Sequence, residues 1–185
     1  MPKLFAFSGS LRKGSFNSML LRAAVELVPP GTTLEVGSIH GIPLYDGDLE
    51  TSAFPQAAQA LKDGIAGADG LLLVSPEYNN SIPGVMKNAI DWASRPPADM
   101  ARVFSAKPVA VIGATPGGGG TMLAQAAWLP VLRTLGTLPW FGGRFMVSGA
   151  SKVFDADGAL KDAALRDQLQ KFLAGFSAFV AAQRR

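Results

Sequence analysis

The sequence predicts an α/β fold in which a parallel sheet is covered by helices on both faces. Short apolar runs alternate along the chain with segments whose apolar residues recur at helical spacing. The apolar runs lack polar alternation, as expected for strands that are buried on both faces. The chain has 185 residues, of which 48% are hydrophobic, so we expect a single domain over residues 1–185 with a sizeable core.

Each predicted element follows from a local pattern. Apolar runs bounded by Gly, Ser or Pro predict strands, and Pro29-Pro30-Gly31 ends the first helix. Pro83 suits the first turn of a helix, where a missing N–H costs nothing. The predicted elements are, in chain order, a strand at 4–7, a helix at 16–28, a strand at 32–39, a loop at 40–52, a helix at 53–66, a strand at 70–75, a helix at 83–93, a strand at 109–113, a helix at 120–135, a strand within 138–147 and an amphipathic helix at 159–182.

This order gives five strands alternating with five helices. Ligands of such open sheets bind beyond the carboxyl ends of the strands. The loops after the first, third and fourth strands are therefore the places to look for a site. We call them the serine loop (residues 8–18), the tyrosine loop (75–84) and the glycine loop (114–121).

The composition excludes several kinds of chemistry. The chain has no cysteine and a single histidine, His40, so disulfides, thiolate nucleophiles and multi-histidine metal sites are ruled out. No G-x-S-x-G motif presents a nucleophilic serine, and His40 is interpreted as an ordinary loop residue. We expect no metal site and no catalytic side chain, and a bound cofactor that supplies the chemistry.

Charge and hydropathy indicate the partners and the location. The net charge of +3 suits small anionic ligands, and the scattered basic residues form no stripe that would indicate a nucleic-acid-binding protein. No apolar run approaches the roughly 20 residues that span a bilayer, and the first residues do not resemble a signal peptide. We expect a cytoplasmic protein without a membrane or nucleic-acid partner.

The serine loop has the composition of a phosphate-binding loop. Its hydroxyl groups precede a helix N-terminus, whose free N–H groups bind anions, and Arg12 adds a fork of donors. It lacks the Gly-Lys-Ser/Thr end of a P-loop and the G-x-G-x-x-G dinucleotide motif. The alternative interpretation is a polar turn that caps the helix.

The other two loops suit a flat ring. In the tyrosine loop, Tyr78 stands beside amide and carboxylate side chains that read the polar edge of a heteroaromatic ring. In the glycine loop, four consecutive glycines at 117–120 permit close approach of the backbone to a ligand. The alternatives are a turn with a surface tyrosine and a flexible connection. Together, the three loops predict a site for a mononucleotide with a planar ring.

Two segments resemble a known family. Residues 9–17, GSLRKGSFN, resemble the phosphate-binding loop of the NADPH-dependent FMN reductase family, and residues 76–92, PEYNNSIPGVMKNAIDW, resemble its most specific motif. The likeness runs from Lys3 to about the final helix, and the family includes bacterial chromate and quinone reductases and some azoreductases. It implies a flavodoxin-like, doubly wound three-layer sandwich with a five-stranded parallel sheet of order 2-1-3-4-5.

The resemblance also implies a set of FMN-binding residues. Those of the serine loop would bind the phosphate, those of the tyrosine loop would follow the ribityl chain and ring, and those of the glycine loop would approach the ring from the other side. Thr115-Pro116-Gly117 stands where many family members carry a serine-containing turn. The implied residues are Ser10, Arg12, Ser15, Phe16, Asn17, Pro76, Glu77, Tyr78, Asn79, Thr115, Pro116, Gly117 and Gly118.

The implied activity is the transfer of hydride from NADPH or NADH, through bound FMN, to a quinone, azo compound, chromate or free flavin. The family implies a homodimer or homotetramer, with Asp91, Trp92 and Arg95 close to a neighbouring subunit and Arg95 near the phosphate of the nicotinamide nucleotide. Two alternatives stay open: an electron-carrier flavodoxin and a redox-sensing FMN-binding protein. Carriers are typically strongly acidic, and the charge of +3 argues against that class.

Overall fold

The structure is a computed structural model that describes residues 1–184. Apolar strands and amphipathic helices alternate in it as the sequence predicts. The elements are β1 (Lys3–Ser8), α1 (Phe16–Leu27), β2 (Thr33–Val36), α2 (Gly47–Ser52), α3 (Gln56–Ala66), β3 (Gly70–Val74), α4 (Gly84–Ala93), α5 (Met100–Phe104), β4 (Pro108–Ala114), α6 (Met122–Thr134), β5 (Leu138–Pro139), β6 (Met146–Val147) and α7 (Ala163–Gln183).

The strands form a parallel sheet in the order β2-β1-β3-β4-β5. This is the order of flavodoxin-like doubly wound folds, so the predicted fold is confirmed. The chain passes from β1 to β2 on one side of β1 and then crosses from β2 to β3 on the other side of β1. The loops after β1, β3 and β4 therefore meet at one edge of the sheet.

The sheet has six strands rather than the predicted five, because the last strand is split. β5 pairs with the start of β4, and β6 pairs with its end. Between them the chain turns outward after Trp140, whose N–H still donates to the Val109 carbonyl at 2.8 Å. The Trp140 ring packs edge-on against Phe172 of α7 with centroids 4.9 Å apart, so side-chain packing interrupts the ladder.

Each face of the sheet carries its own apolar core. On one face, buried residues of β1, β3 and β4 pack against α1 and α7. On the other face, alternate residues of the same strands pack against α3, α4, α5 and α6. The burial on both faces explains why the strands are apolar runs without alternation.

The structure contains two short helices that were not predicted from the sequence, α5 and α2. The segment predicted as a loop at 40–52 contains the short helix α2, whose first turn is capped by the Asp46 carboxylate accepting from the Asp48 N–H at 2.9 Å. The helix was not predicted because the segment is rich in Gly, Pro and Asp, and because α2 buries none of its side chains and so has no apolar pattern. Within residues 1–184, no helix is long and apolar enough to cross a membrane.

Candidate active site

The three loops line one cavity of about 90 Å³ at the carboxyl edge of the sheet. Most of the residues predicted for the site lie around it. Asn79, Gly117 and Gly118 are outside its lining, although they belong to the same loops. The lining residues are Ser10, Arg12, Ser15, Phe16, Asn17, Pro76, Glu77, Tyr78, Ala114, Thr115 and Pro116.

The serine loop turns directly into helix α1. The Ser15 N–H donates to the Arg12 carbonyl at 3.1 Å, which closes a turn. The Ser15 hydroxyl then accepts from the N–H groups of Asn17 and Ser18, as an N-cap residue does. Helix α1 has no acidic residue in its first turn, so the positive end of its dipole is not neutralised locally. The cavity therefore lies at a favourable place for an anion.

Arg12 adds a full charge at this place. Its guanidinium lies 5.4 Å from the centroid of the Phe16 ring, which is a cation–π distance. In the described part of the chain no acidic side chain forms an ion pair with Arg12. Its charge is thus available to a ligand, while the ring of Phe16 restricts where the guanidinium lies.

The tyrosine loop packs tightly on the serine loop. A Cβ atom on Gly9 would lie 2.9 Å from Cδ of Pro76 and would overlap Sδ of Met86, so only glycine fits at this position. Beyond Pro76, the Tyr78 hydroxyl lies 3.5 Å from Ser10 Oγ, and the tyrosine side chain is 45% exposed. A partly exposed ring at the mouth of the cavity can pack against a flat ligand.

Residues 78–81 form a tight turn that presents Tyr78. The N–H of Tyr78 donates to the Ser81 carbonyl and the N–H of Ser81 donates to the Tyr78 carbonyl, both at 3.0 Å. Asn79 and Asn80 have φ angles of 50° and 61°. Positive φ at both central residues defines a type I′ turn, which asparagine tolerates better than most residues.

Glu77 holds the tyrosine loop to helix α6. Its Oε2 accepts from the N–H of Leu123 at 2.9 Å and from the N–H of Ala124 at 3.0 Å. The preceding N-cap residue, Thr121, makes no side-chain cap. The Glu77 carboxylate therefore caps α6 from another loop, and its charge is balanced by the helix dipole.

The glycine loop is held on one side and open on the other. The Thr115 N–H donates to the Val147 carbonyl at 2.9 Å, and the Gly117 carbonyl accepts from the Gly149 N–H at 3.0 Å. A Cβ atom on Gly118 or Gly119 would meet no atom within 4 Å. The loop thus leaves room for a ligand to approach its backbone.

Asn17 connects the serine loop with the glycine loop. Its Nδ2 donates to the Ala114 carbonyl at 2.8 Å, and its Oδ1 accepts from the Ala114 N–H at 2.9 Å. Asn17 is only 3% exposed. Asn17 lines the cavity, and half of the hydrogen-bonding capacity of its amide is used within the protein.

Arg95 lies away from the three loops within one chain. It follows α4, whose ten residues rise about 15 Å from the tyrosine loop. Its guanidinium lies 5.5 Å from the centroid of the Tyr45 ring. The hydroxyl of Tyr45 donates to Glu50, and this hydrogen bond raises the pKa of Tyr45. Within one chain, Arg95 is not among the residues that line the cavity.

Trp92 is part of the core of the chain. The side chain is fully buried, and its Nε1 donates to the Pro43 carbonyl at 2.9 Å. Tyr45 and Phe54 pack edge-on against its indole. The apolar spacing within α4 is the sequence signal for this burial, because Met86, Ala89 and Trp92 share one face.

Two structural residues of the site were missed by sequence reasoning. The Ser75 hydroxyl accepts from Nε1 of Trp128 at 2.9 Å, which fixes the end of β3 against α6. Ala114 is the backbone partner of Asn17. A buried indole N–H requires a partner, so Trp128 carried a signal, whereas nothing in an alanine reveals its role.

The donor set fits FMN. The cavity offers hydroxyl groups, the N-terminus of α1 and an Arg12 guanidinium without an acidic partner, which suits a phosphate dianion. Its one carboxylate, that of Glu77, is engaged by α6. Among residues 1–184, no group of three or more acidic or histidine side chains could hold a metal ion.

Known proteins resemble this chain in sequence. The model of the NADPH-dependent FMN reductase family matches residues 2–152. The chain is 44% identical over 178 residues to an NAD(P)H-dependent FMN reductase of Pseudomonas aeruginosa, covering 96% of this chain and 95% of that protein. It is 40% identical over 182 residues to a 2-hydroxy-1,4-benzoquinone reductase of a Burkholderia species, covering 98% of each.

A solved structure gives the same result. The chain superposes with a TM-score of 0.88 on FerB, a flavoenzyme NAD(P)H:(acceptor) oxidoreductase from Paracoccus denitrificans, at 34% identity and with 98% of both chains covered. The likeness therefore extends over sequence and fold, well beyond the motifs of the three loops. The chain belongs to the NADPH-dependent FMN reductase family.

Proposed function

We propose that this chain is an NAD(P)H-dependent oxidoreductase that holds the phosphate of FMN in the cavity between its three loops and the ring between the tyrosine loop and the glycine loop, and that reduces a quinone or a similar acceptor. The observation that carries the proposal is the cavity itself, which joins phosphate-binding groups of the serine loop to the open backbone of the glycine loop. Family membership supports FMN as the cofactor and NAD(P)H as the reductant.

Each loop has a separate part in binding. Arg12, Ser10, Ser15 and the N-terminus of α1 bind the phosphate and neutralise its charge. Pro76 and Tyr78 border the path from the phosphate towards the ring, and Asn79 extends it. Thr115, Pro116, Gly117 and Gly118 bring the backbone near the ring, and the N–H groups of Gly117 and Gly118 stabilise negative charge that develops there.

Bound FMN supplies the hydride chemistry, so the protein needs no nucleophile or metal of its own. The exposed side of Tyr78 and the open glycine loop leave room above the cavity for a flat acceptor. A quinone is the favoured acceptor, because relatives at 40% and 38% identity are named for quinone reduction. Azo compounds, chromate and free flavin are further candidates.

The visible spectrum of the purified protein and its NADPH oxidation test this proposal. We expect flavin absorption, release of FMN on denaturation, and NADPH consumption that depends on added benzoquinone. A colourless protein that FMN does not reconstitute would refute the proposal. A flavin-containing protein without NADPH turnover would favour the electron carrier, and a redox-dependent change in native mass would favour the sensor.

Arg12 gives a direct test of the phosphate site. Arg12→Ala should weaken FMN binding and leave riboflavin binding unchanged, because riboflavin lacks the phosphate. Val25→Ala is the control, since Val25 lies on the exposed side of α1 away from the cavity. Equal loss for both flavins would show that Arg12 acts through the loop rather than through the phosphate.

The remaining proposals concern assembly and location. We take residues 1–185 as one FMN-binding domain, which is supported by a single sheet with an apolar core on each face. We also place the protein in the cytoplasm. A homodimer or homotetramer would let Arg95 of one subunit meet a nucleotide held by another. Light scattering measures the mass of the assembly and so tests the oligomeric state.

The role of Arg95 is tested by kinetics. Arg95→Ala should raise KM for NADPH more than KM for NADH. Unchanged KM values would remove Arg95 from the site.

A further inference from the structure

Asn17 is placed to do something other than bind phosphate. It is the second residue of α1, and its side chain points to the end of β4 rather than only to the cavity. We propose that Asn17 is a positioning residue that locks the glycine loop to the serine loop by pairing with both backbone groups of Ala114. The inference rests on the proposed function, because it concerns how the FMN cavity keeps its shape.

The need for such a residue arises where the sheet ladder ends. β3 and β4 pair as far as the N–H of Ser75, which donates to the Ile112 carbonyl at 2.8 Å. Ala114, two residues further along β4, presents its backbone groups to the same side, because strand residues alternate. The chain after Ser75 turns away with Pro76, which has no N–H. The Asn17 amide therefore makes the two hydrogen bonds to Ala114 that a continuation of β3 would otherwise make.

An asparagine is well suited to this place. Its amide carries both a donor and an acceptor, so it satisfies the Ala114 carbonyl and the Ala114 N–H together. Ala114 is 2% exposed, so water cannot easily replace either bond. The pair leaves one N–H of Asn17 Nδ2 uncommitted, and a phosphate contact would come in addition to the two bonds to Ala114.

The lock acts on the ring end of the cavity. Ala114 and Thr115 begin the glycine loop, while Asn17 itself is held by Ser15, whose hydroxyl accepts from the Asn17 N–H at 3.2 Å. The phosphate-binding end and the ring-binding end of the cavity are therefore joined through one side chain. Loss of Asn17 should affect a flavin whether or not it has a phosphate.

Comparing FMN with riboflavin tests the proposal. Asn17→Ala should weaken both flavins, riboflavin by about tenfold, because two buried backbone groups lose their partners. Arg12→Ala should weaken FMN alone, and Val25→Ala should weaken neither. If Asn17→Ala weakens FMN and leaves riboflavin unchanged, Asn17 is a phosphate ligand and the proposal is wrong.

Hydrogen exchange in the flavin-free protein gives a second readout. In Asn17→Ala, amides of residues 115–120 should exchange faster, while those of β3 stay protected as in the parent protein. Faster exchange throughout the chain would indicate general destabilisation and would contradict the proposal, as would unchanged exchange in the glycine loop. Arg12→Ala should leave the exchange of residues 115–120 unaltered.

A conservative variant keeps the test open if Asn17→Ala does not fold. The carboxylate in Asn17→Asp still accepts from the Ala114 N–H but cannot donate to the Ala114 carbonyl. Riboflavin affinity should fall in this variant, and unchanged riboflavin affinity would overturn the inference. A parent protein that binds neither flavin would instead refute the proposed function, so the two failures are distinguishable.

Discussion

The Glu77 carboxylate caps helix α6 from a separate loop, accepting from the Leu123 N–H at 2.9 Å. The resemblance to flavin reductases placed Glu77 along the flavin, and the residue does line the cavity. Its Oε2, however, also accepts from the next helical N–H, that of Ala124. Glu77 and Asn17 act in the same way. Each is a polar side chain that pairs with backbone groups at the end of another element, where those groups have no backbone partner.

We expect Glu77→Ala to lower the free energy of unfolding by about 1–2 kcal/mol, since the start of α6 loses a cap and a favourable charge. Glu77→Gln should lose less, because its amide oxygen still accepts the two N–H groups. Urea denaturation of the flavin-free protein measures both. Asp167→Ala, on the exposed side of α7, is the control and should stay within about 0.5 kcal/mol of the parent. Equal stability of Glu77→Ala and Asp167→Ala would refute the capping role.

Gly9 and Gly84 provide a substitution and its control. Gly9 packs against the tyrosine loop, whereas Gly84 lies at the end of that loop in open space. Gly9→Ala should destabilise the protein by about 1–3 kcal/mol, because the added Cβ overlaps Met86 and lies 2.9 Å from Cδ of Pro76. Gly84→Ala should leave stability unchanged or raise it, because a Cβ there meets nothing within 4 Å and the position is helical. Thermal unfolding compares the two, and similar midpoints would contradict this packing.

The turn at Asn79 and Asn80 yields a prediction about backbone conformation. Asn80 has a φ of 61°, so Asn80→Ala should cost about 1 kcal/mol, as expected for an alanine in the left-handed region. Asn80→Gly should retain the stability of the parent, because glycine adopts that conformation freely. Urea denaturation distinguishes the variants, and an Asn80→Ala variant as stable as Asn80→Gly would show that the turn has another conformation.

The fold class could be predicted from the sequence because it depends on local patterns. Buried parallel strands are apolar runs, and the order of strands and helices brings the loops after β1, β3 and β4 to one edge. The split of the last strand was missed, although Gly142-Gly143-Arg144 interrupts the apolar residues of the segment at 138–147, because the packing of Trp140 on Phe172 beside that interruption is a tertiary contact.

The division of labour within the site could not be predicted in the same way. Asn17 and Glu77 are polar residues in loops, and such residues fit a ligand contact and an internal cap equally well. The backbone partner of Asn17, Ala114, is 97 residues away, and that of Glu77, Leu123, is 46 residues away. No local spacing in the sequence reveals such partners. Side-chain hydrogen bonding to a distant backbone is a tertiary property and depends on the fold.

An ion pair between the buried Lys62 and the partly exposed Asp99 predicts the response to acid. Lys62 is 3% exposed, and its Nζ lies 3.0 Å from Oδ2 of Asp99 and 4.4 Å from the centroid of the Phe54 ring. Hydrogen bonds from Lys62 and then from Arg102 hold the pKa of Asp99 below its ordinary value of 3.8. The unfolded chain therefore takes up a proton at a higher pH than the folded one.

The sign of the effect follows from this difference. The stability contributed by Asp99 is fully present above its ordinary pKa of 3.8 and is lost as the pH falls through the lower pKa of the folded state. Asp99→Asn should therefore be less stable than the parent at neutral pH, where Lys62 stays buried without its counterion, and the gap should narrow as the pH falls. Urea midpoints between about pH 6 and about pH 2 measure the gap. A gap independent of pH would mean that the charge of Asp99 contributes nothing, and that its side chain acts only by packing.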